Sequence, residues 1–426
     1  MFAACSVSVA SAADQPSYFL KPRFESVVTN SAVKFADVVD YKGKPQDLFV
    51  DIYRPEGDTA TNRPVAVLIH GGGFRTSGKR TQKYIIHFAN ELARRGFVAA
   101  SIDYRQREGD DMPTAADELP AMKDAAADSL TALQWIRTHG KEYGYDPSKI
   151  FLVGGSAGGR ITCAIACREN GDTGGLPVSD KFSTTDPASS VASEKSADYA
   201  RDGLIAAAVL WGGPEPEYRC FTIDGGDLPC VFIHGTYDSL VPADGSAFMQ
   251  NELAKSGVPA RLHLLNGYEH SLKETESAGG DAKPQSAQWI ADFFVQEWQR
   301  KNPGERVPAA VPEVQAKTGE KLVLSAPVSV QGFTPSWEWK RDGQDIPGAN
   351  GATLTIENSE ESDAGLYEVT MTNREGGWAK DTMAHVTIDR VPISAVNHSK
   401  GGEGGKHRHP ESLTLPVAKV VVVADK

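Results

Sequence analysis

The chain has 426 residues, 40% of them hydrophobic and 23% charged, which suits two packed domains with tails rather than one average domain. Its net charge of -12 excludes nucleic acid as a partner, because no basic stripe is present to displace phosphate counterions. No apolar run approaches the roughly 20 residues a spanning helix needs, which excludes a helical membrane span.

Residues 1–13 are small, uncharged and weakly apolar, and end in Ala10-Ser11-Ala12 before polar Asp14-Gln15. They read as the remnant of a secretory signal without its basic start, so the expected location is secreted or periplasmic; a plain disordered tail is the alternative. From residue 36 to 300, short apolar runs alternate with helical periodicity, which predicts a parallel sheet covered by helices on both faces, an α/β class. Strands are expected at 37–41, 48–53, 65–70, 98–104, 150–154, 205–211, 231–234 and 261–265. Helices are expected at 83–95, 121–139, 159–168, 243–256 and 284–299. Residues 171–202, rich in Gly, Ser, Asp and Thr, read as a long surface insertion.

The proline-rich stretch 301–311 reads as a linker that closes a catalytic domain of residues 14–300. Beyond it, short alternating strands at 322–324, 336–340, 353–356, 367–371 and 384–388, with no helix between them, predict an antiparallel β-sandwich over 312–390. Residues 391–426 read as a flexible tail carrying one possible strand near its end. Of the five cysteines, Cys163 and Cys167 fall on a buried helix face, and Cys220 and Cys230 are placed to pair in an oxidising compartment. No histidine stands at ligand spacing from them, so no metal is expected.

Chemistry concentrates in four loops. Gly154-Gly155-Ser156-Ala157-Gly158-Gly159 joins a strand to a helix and sets one serine among glycines. A sharp turn of that kind forces the hydroxyl out of the chain and aims the Ala157 N–H at an oxyanion forming beside it. His70-Gly71-Gly72-Gly73-Phe74 follows another strand, and its bare backbone suits further oxyanion donors at Gly72 and Gly73. The overlapping Gly73 to Lys79 run satisfies most of a phosphate-binding loop, but Arg80 stands where the magnesium-ligating Ser or Thr belongs. Asp238 lies just past the strand ending at His234-Gly235, free to orient an imidazole unless it merely caps a helix or closes a turn. His270 is the one histidine in a loop after a late strand, following both the serine and the aspartate in the chain.

On these motifs, together with Asp103-Tyr104-Arg105, residues 36–300 resemble the α/β-hydrolase family, and within it the hormone-sensitive-lipase-like carboxylesterases and related secreted carbohydrate esterases. The resemblance implies a Ser156–His270–Asp238 triad, oxyanion donors at Gly72, Gly73 and Ala157, and ester hydrolysis through an acyl-enzyme with no cofactor. Asp103-Tyr104-Arg105 is implied to brace the oxyanion loop. Arg160 departs from the family, where an asparagine or histidine is common, and the leading segment is too short for a lipase lid. Residues 312–390 resemble an immunoglobulin-like domain through Trp339 and the run Asp363 to Val369, with Ala326 and Val369 where its cysteine pair would stand. The expected activity is therefore a secreted serine ester hydrolase acting on short acyl or aryl esters, acetyl or feruloyl groups of polysaccharides being preferred. The alternatives are a serine peptidase of the same fold and a non-catalytic binding or adhesion protein. The expected partners are a small or polysaccharide-borne ester and, for the immunoglobulin-like domain, a glycan or a protein.

Overall fold

The computed structural model describes residues 16–25, 27–76, 78–112, 114–167, 203–219, 221–274, 280–300, 313–372, 385–390, 392–393, 395–398 and 410–423. The signal-like segment, the 171–202 insertion and the 301–311 linker lie outside the described residues, as does Cys220.

Eight strands form most of one sheet: β1 (Val27–Val39), β2 (Pro45–Pro55), β3 (Arg63–Ile69), β4 (Val98–Ile102), β5 (Tyr145–Gly155), β6 (Leu204–Leu210), β7 (Cys230–Gly235) and β8 (Ala260–Leu265). They lie in the order β1-β2-β4-β3-β5-β6-β7-β8. The hairpin β1–β2 and the β2–β4 pair are antiparallel, and the ladder from β4 through β8 is parallel. Helices α1 (Lys83–Arg94), α2 (Ala115–Tyr143), α3 (Ala157–Ala166), α4 (Asp244–Lys255) and α5 (Lys283–Gln299) connect them. All of β3 is buried, and its side chains divide by the two-residue period of a strand. Val65, Val67 and Ile69 join the core under α2, α3 and α4, whereas Ala66 and Leu68 join the one under α1 and α5. A strand apolar on both faces is what a parallel sheet between two helical layers requires.

Helix α2 begins six residues before the expected start. Thr114 and Asp117 close a reciprocal capping box there, which outweighs the break suggested by Pro120. The leading segment 16–20 forms no lid. Phe19 packs on Phe97 and Trp298, beside Gly96 at the amino end of β4, which is the edge of the sheet away from the chemistry.

The small hairpin β9 (Tyr268–Glu269) and β10 (Lys273–Glu274) follows β8. Ten strands come after α5: β11 (Glu313–Lys317), β12 (Leu322–Ser325), β13 (Val328–Gln331), β14 (Ser336–Arg341), β15 (Gln344–Asp345), β16 (Thr353–Ile356), β17 (Gly365–Thr372), β18 (His385–Asp389), β19 (Ala395–His398) and β20 (Pro410–Val423). One sheet runs β11-β20-β17-β14-β15, with β19 also on β20, and a second pairs β12 with β16. Trp339 is buried between them, and the Tyr367 hydroxyl donates to the Asp363 carbonyl at 2.8 Å.

Two expectations for this region are corrected. Residues 410–423, expected within a flexible tail, form β20, which pairs with β17 along eight residues and with β11 along five. Its Leu413, Leu415, Val417 and Val420 are buried, and Pro416 sits at the register shift, where a missing N–H is tolerated. The strand expected to finish the sandwich, β18, instead pairs antiparallel with β8, and β13 pairs with β18, giving the main sheet ten strands. The reason is the open edge of β8, a row of unpaired backbone groups that any free strand can cover. Ile388 buries completely there, Arg261 pairs with Asp389 at 2.7 Å, and His263 Nδ1 meets the Thr387 hydroxyl at 2.8 Å. Cys230 is a buried free thiol donating to the Leu228 carbonyl, and the partner considered for it, Cys220, lies outside the described residues. Burial pushes the Cys163 and Cys167 thiols far up, leaving them as packed core groups.

Candidate active site

Strands β3, β5, β7 and β8 each deliver one of the four loops from their carboxyl ends, so all four gather at a single edge of the sheet. Ser156 sits between β5 and α3 at φ 56°, ψ -123°, a left-handed conformation rare for a residue with a side chain. Glycines hold it there because nothing else fits. A Cβ on Gly158 would lie 2.0 Å from the Ile69 carbonyl oxygen, and one on Gly212 would lie 2.3 Å from that of Ser156.

The three side chains meet in series. His270 Nδ1 is 2.8 Å from Asp238 Oδ2, and His270 Nε2 is 3.0 Å from Ser156 Oγ. A carboxylate only accepts, so Nδ1 carries the proton and Nε2 is left to accept from the serine hydroxyl. Asp238 both closes a turn and faces the imidazole. Its Oδ1 accepts the N–H groups of Leu240 at 3.0 Å and Val241 at 2.8 Å, and Oδ2 points at His270.

Sequence reasoning missed a second imidazole on the same oxygen. His234, fully buried, has Nε2 at 3.2 Å from Asp238 Oδ2 and at 2.9 Å from the Val241 carbonyl. Two acceptors at one nitrogen make it the donor, so Nδ1 accepts from the Ser246 hydroxyl at 2.8 Å. Burial pushes the Asp238 carboxyl up, but the bonds from His234 and His270 outweigh it and hold the group well below the usual carboxylate range. Glu269 was missed as well. Its Oε2 accepts from the Ser239 N–H and hydroxyl, each at 3.1 Å, and from the His270 N–H at 3.3 Å, tying the Asp238 loop to the His270 loop. Only the register of β9 with β10 makes it more than one acid among many.

The glycine loop after β3 lies directly against the serine, since a Cβ on Gly71 would be 2.9 Å from Ser156 Cβ. Gly72 and Gly73 have φ of 111° and 61°, which only glycine adopts without strain. Ala157 opens α3, and the first N–H groups of a helix have no acceptor within it. Tyr84 and Tyr104 brace this loop. The Tyr84 hydroxyl accepts from the Gly71 N–H at 2.6 Å and donates to the Gly155 carbonyl at 3.3 Å. Tyr104 donates to the His70 carbonyl at 2.9 Å and stacks on the His70 ring at 4.2 Å. Asp103 pairs with Arg80 at 2.6 Å and Arg105 with Asp128 at 2.8 Å, the bracing role implied for that tripeptide. Arg80, which breaks the phosphate-loop pattern, also reaches Asp51 at 2.9 Å and so serves the loop's foundation. Arg160 turns to Glu215 through two contacts at 2.7 Å and lies 3.8 Å over the Tyr218 ring. Among the described residues no cluster of His, Cys, Asp or Glu is arranged to hold a metal.

Residues 50–200 match the family model described as BD-FAE, and residues 194–297 match that of the dienelactone hydrolase family. Both matches fall on the region that carries the elbow at Ser156 and the ordered serine, aspartate and histidine. The fold is that of the α/β-hydrolases.

The chain is similar to a probable carboxylic ester hydrolase LipM of Mycobacterium tuberculosis, 34% identical over 122 residues, 28% of this chain and 26% of that protein. It is also similar to carboxylesterase NlhH of the same species, 33% identical over 132 residues, 31% of this chain and 37% of that protein. The chain thus spans only about a quarter to a third of these two relatives. Among solved structures, esterase 2 of Thermogutta terrifontis phosphoramylated by tabun superposes with a TM-score of 0.46 at 24% identity, over 65% of this chain and 97% of that one.

Proposed function

We propose that the hydrolase is a secreted serine carboxylic-ester hydrolase acting on short acyl or aryl esters, with acetyl or feruloyl esters of polysaccharides as preferred substrates. The observation that carries the reading is the unbroken series from Ser156 Oγ through His270 to Asp238, at 3.0 and 2.8 Å. His270 Nε2 takes the serine proton as Oγ attacks the ester carbonyl carbon. The tetrahedral oxyanion is held by the N–H groups of Gly72, Gly73 and Ala157. Its collapse breaks the bond to the alcohol oxygen, which takes the proton from His270 and leaves. Water, deprotonated by the same imidazole, attacks the acyl-serine and releases the acid. Asp238 stays ionised throughout and fixes the tautomer, a task its depressed pKa suits.

The names of the relatives, both carboxylic ester hydrolases, support the reaction class. The signal-like Ala10-Ser11-Ala12 supports export. We read the C-terminal strands as an immunoglobulin-like unit, supported by buried Trp339 and the Tyr367–Asp363 bond. The test is hydrolysis of 4-nitrophenyl acetate beside acetyl- and feruloyl-oligosaccharides, with an aminoacyl anilide as control. Ser156→Ala should lower kcat by roughly 10⁴-fold or more. Turnover of the anilide without turnover of the esters would contradict the reading.

A further inference from the structure

An open cavity of 590 Å³ lies beside the loop that follows His270. That volume is within the roughly 300–1,000 Å³ of small-molecule sites and far more than an acetyl group needs. Tyr84 forms part of its wall, and the Tyr84 hydroxyl touches both the glycine loop and Gly155. Ser271, another wall residue, directly follows His270. The leaving alcohol collects its proton from His270, so the alcohol portion of an ester lies on this side.

Three lysines line the opening: Lys83, Lys273 and Lys283. Lys83 is the first residue of α1 and Lys283 the first of α5, and neither helix has an acid in its first turn. A cation at that end opposes the helix dipole, at about 0.3–1 kcal/mol each. Among the described residues Lys283 pairs with Asp281 at 3.3 Å, and Lys83 and Lys273 form no ion pair. The Asp281 carboxylate also accepts the Lys283 N–H at 3.1 Å and so already serves α5, which leaves Lys83, Lys273 and the N-terminus of α1 facing one cavity in a chain of net charge -12.

We propose that this cavity is a subsite for an anionic group, a carboxylate or a sulfate, on the alcohol portion of the substrate. The inference rests on the ester-hydrolase reading and narrows it to esters of acidic glycans. A bound anion would offset the mutual repulsion of the lysines and take up the α1 dipole at once. The charges would also draw in acidic chains over the roughly 8–10 Å that salt permits.

The test uses the full chain and a Lys83→Gln, Lys273→Gln double variant; both lysines are exposed, so the variant should fold. Four substrates are compared: 4-nitrophenyl acetate, an acetylated neutral xylooligosaccharide, an acetylated oligogalacturonate of the same length, and an acetylated sulfated oligosaccharide. The expected result is a loss of about 10-fold or more in kcat/KM on an acidic ester, carried by KM, reproduced by high salt in the wild type. Turnover of 4-nitrophenyl acetate should not change. The acidic ester that suffers more separates carboxylate from sulfate. Equal effects on neutral and acidic esters, or no effect on either, would overturn the proposal. Calorimetric binding of free oligogalacturonate and of the free sulfated oligosaccharide supplies a readout that needs no turnover. If no ester is hydrolysed, the ester-hydrolase reading falls, and the subsite stands only if the wild type binds one of these free acids and the double variant does not.

Discussion

The parallel-sheet region and the C-terminal strands solve the same problem in opposite ways. In the first, strands β5 to β8 pair in chain order, and the four strands that carry chemistry end at one edge within about 200 residues of one another. In the second, strands leave their own neighbourhood: β18 covers the edge of β8 and carries β13 beyond it, and β20 fills the place between β11 and β17. The lesson is that the C-terminal region is no passenger. It finishes the sheet whose last parallel strand, β8, leads into the His270 loop.

The largest effect expected from breaking that link is Ile388→Asp, which puts a carboxylate at a completely buried position against β8. It should cost about 4 kcal/mol or more, lower the melting temperature of the whole hydrolase, and expose an edge prone to aggregation. A melt in which catalytic activity survives unchanged while only the C-terminal strands unfold would show that the two regions are independent. A smaller effect sharpens the other side. Burial drives the pKa of His70 down to about 4, under the glycine loop. The unfolded chain then binds a proton that the folded one refuses, so stability is full above about pH 6.5 and lost as the pH falls from there towards 4. The loss from this one group is up to about 3 kcal/mol. His70→Asn should flatten that slope in melts across the window, and an unaltered slope would remove His70 as its cause. Smallest, His234→Phe takes a donor from Asp238 while leaving the Ser156–His270 contact in place. It should lower kcat by about 10- to 100-fold with little change in KM, and His234→Gln should restore part of the loss. A wild-type kcat in the phenylalanine variant would make His234 a packing residue only.

How much of this was legible in the sequence follows the same division. Ser156, Asp238 and His270, which the structure brings into contact, stood out because each loop follows an apolar run and carries glycine where backbone must crowd backbone. The crowding is local, so it leaves a local signature, as at Gly154, Gly158 and Gly159. The first residues of α2 went unread, although Thr114 and Asp117 mark where it starts. His234 resembled any histidine closing a strand, and only the return of Val241 and Ser246 gives it two acceptors and a donor. The placement of β18 and β20 left no local trace. A strand reveals which of its faces is buried, but its edge partner is decided by whichever other edge is open in the folded molecule.

Activation of the Ser156 hydroxyl by His270 is the step on which catalysis depends. Treating the full chain with a fluorophosphonate and mapping the adduct by mass spectrometry tests this most directly. The expected result is one adduct, on the peptide containing Ser156, formed far more slowly in a folded His270→Ala variant. An adduct elsewhere, or labelling of Ser156 at the same rate without His270, would contradict it.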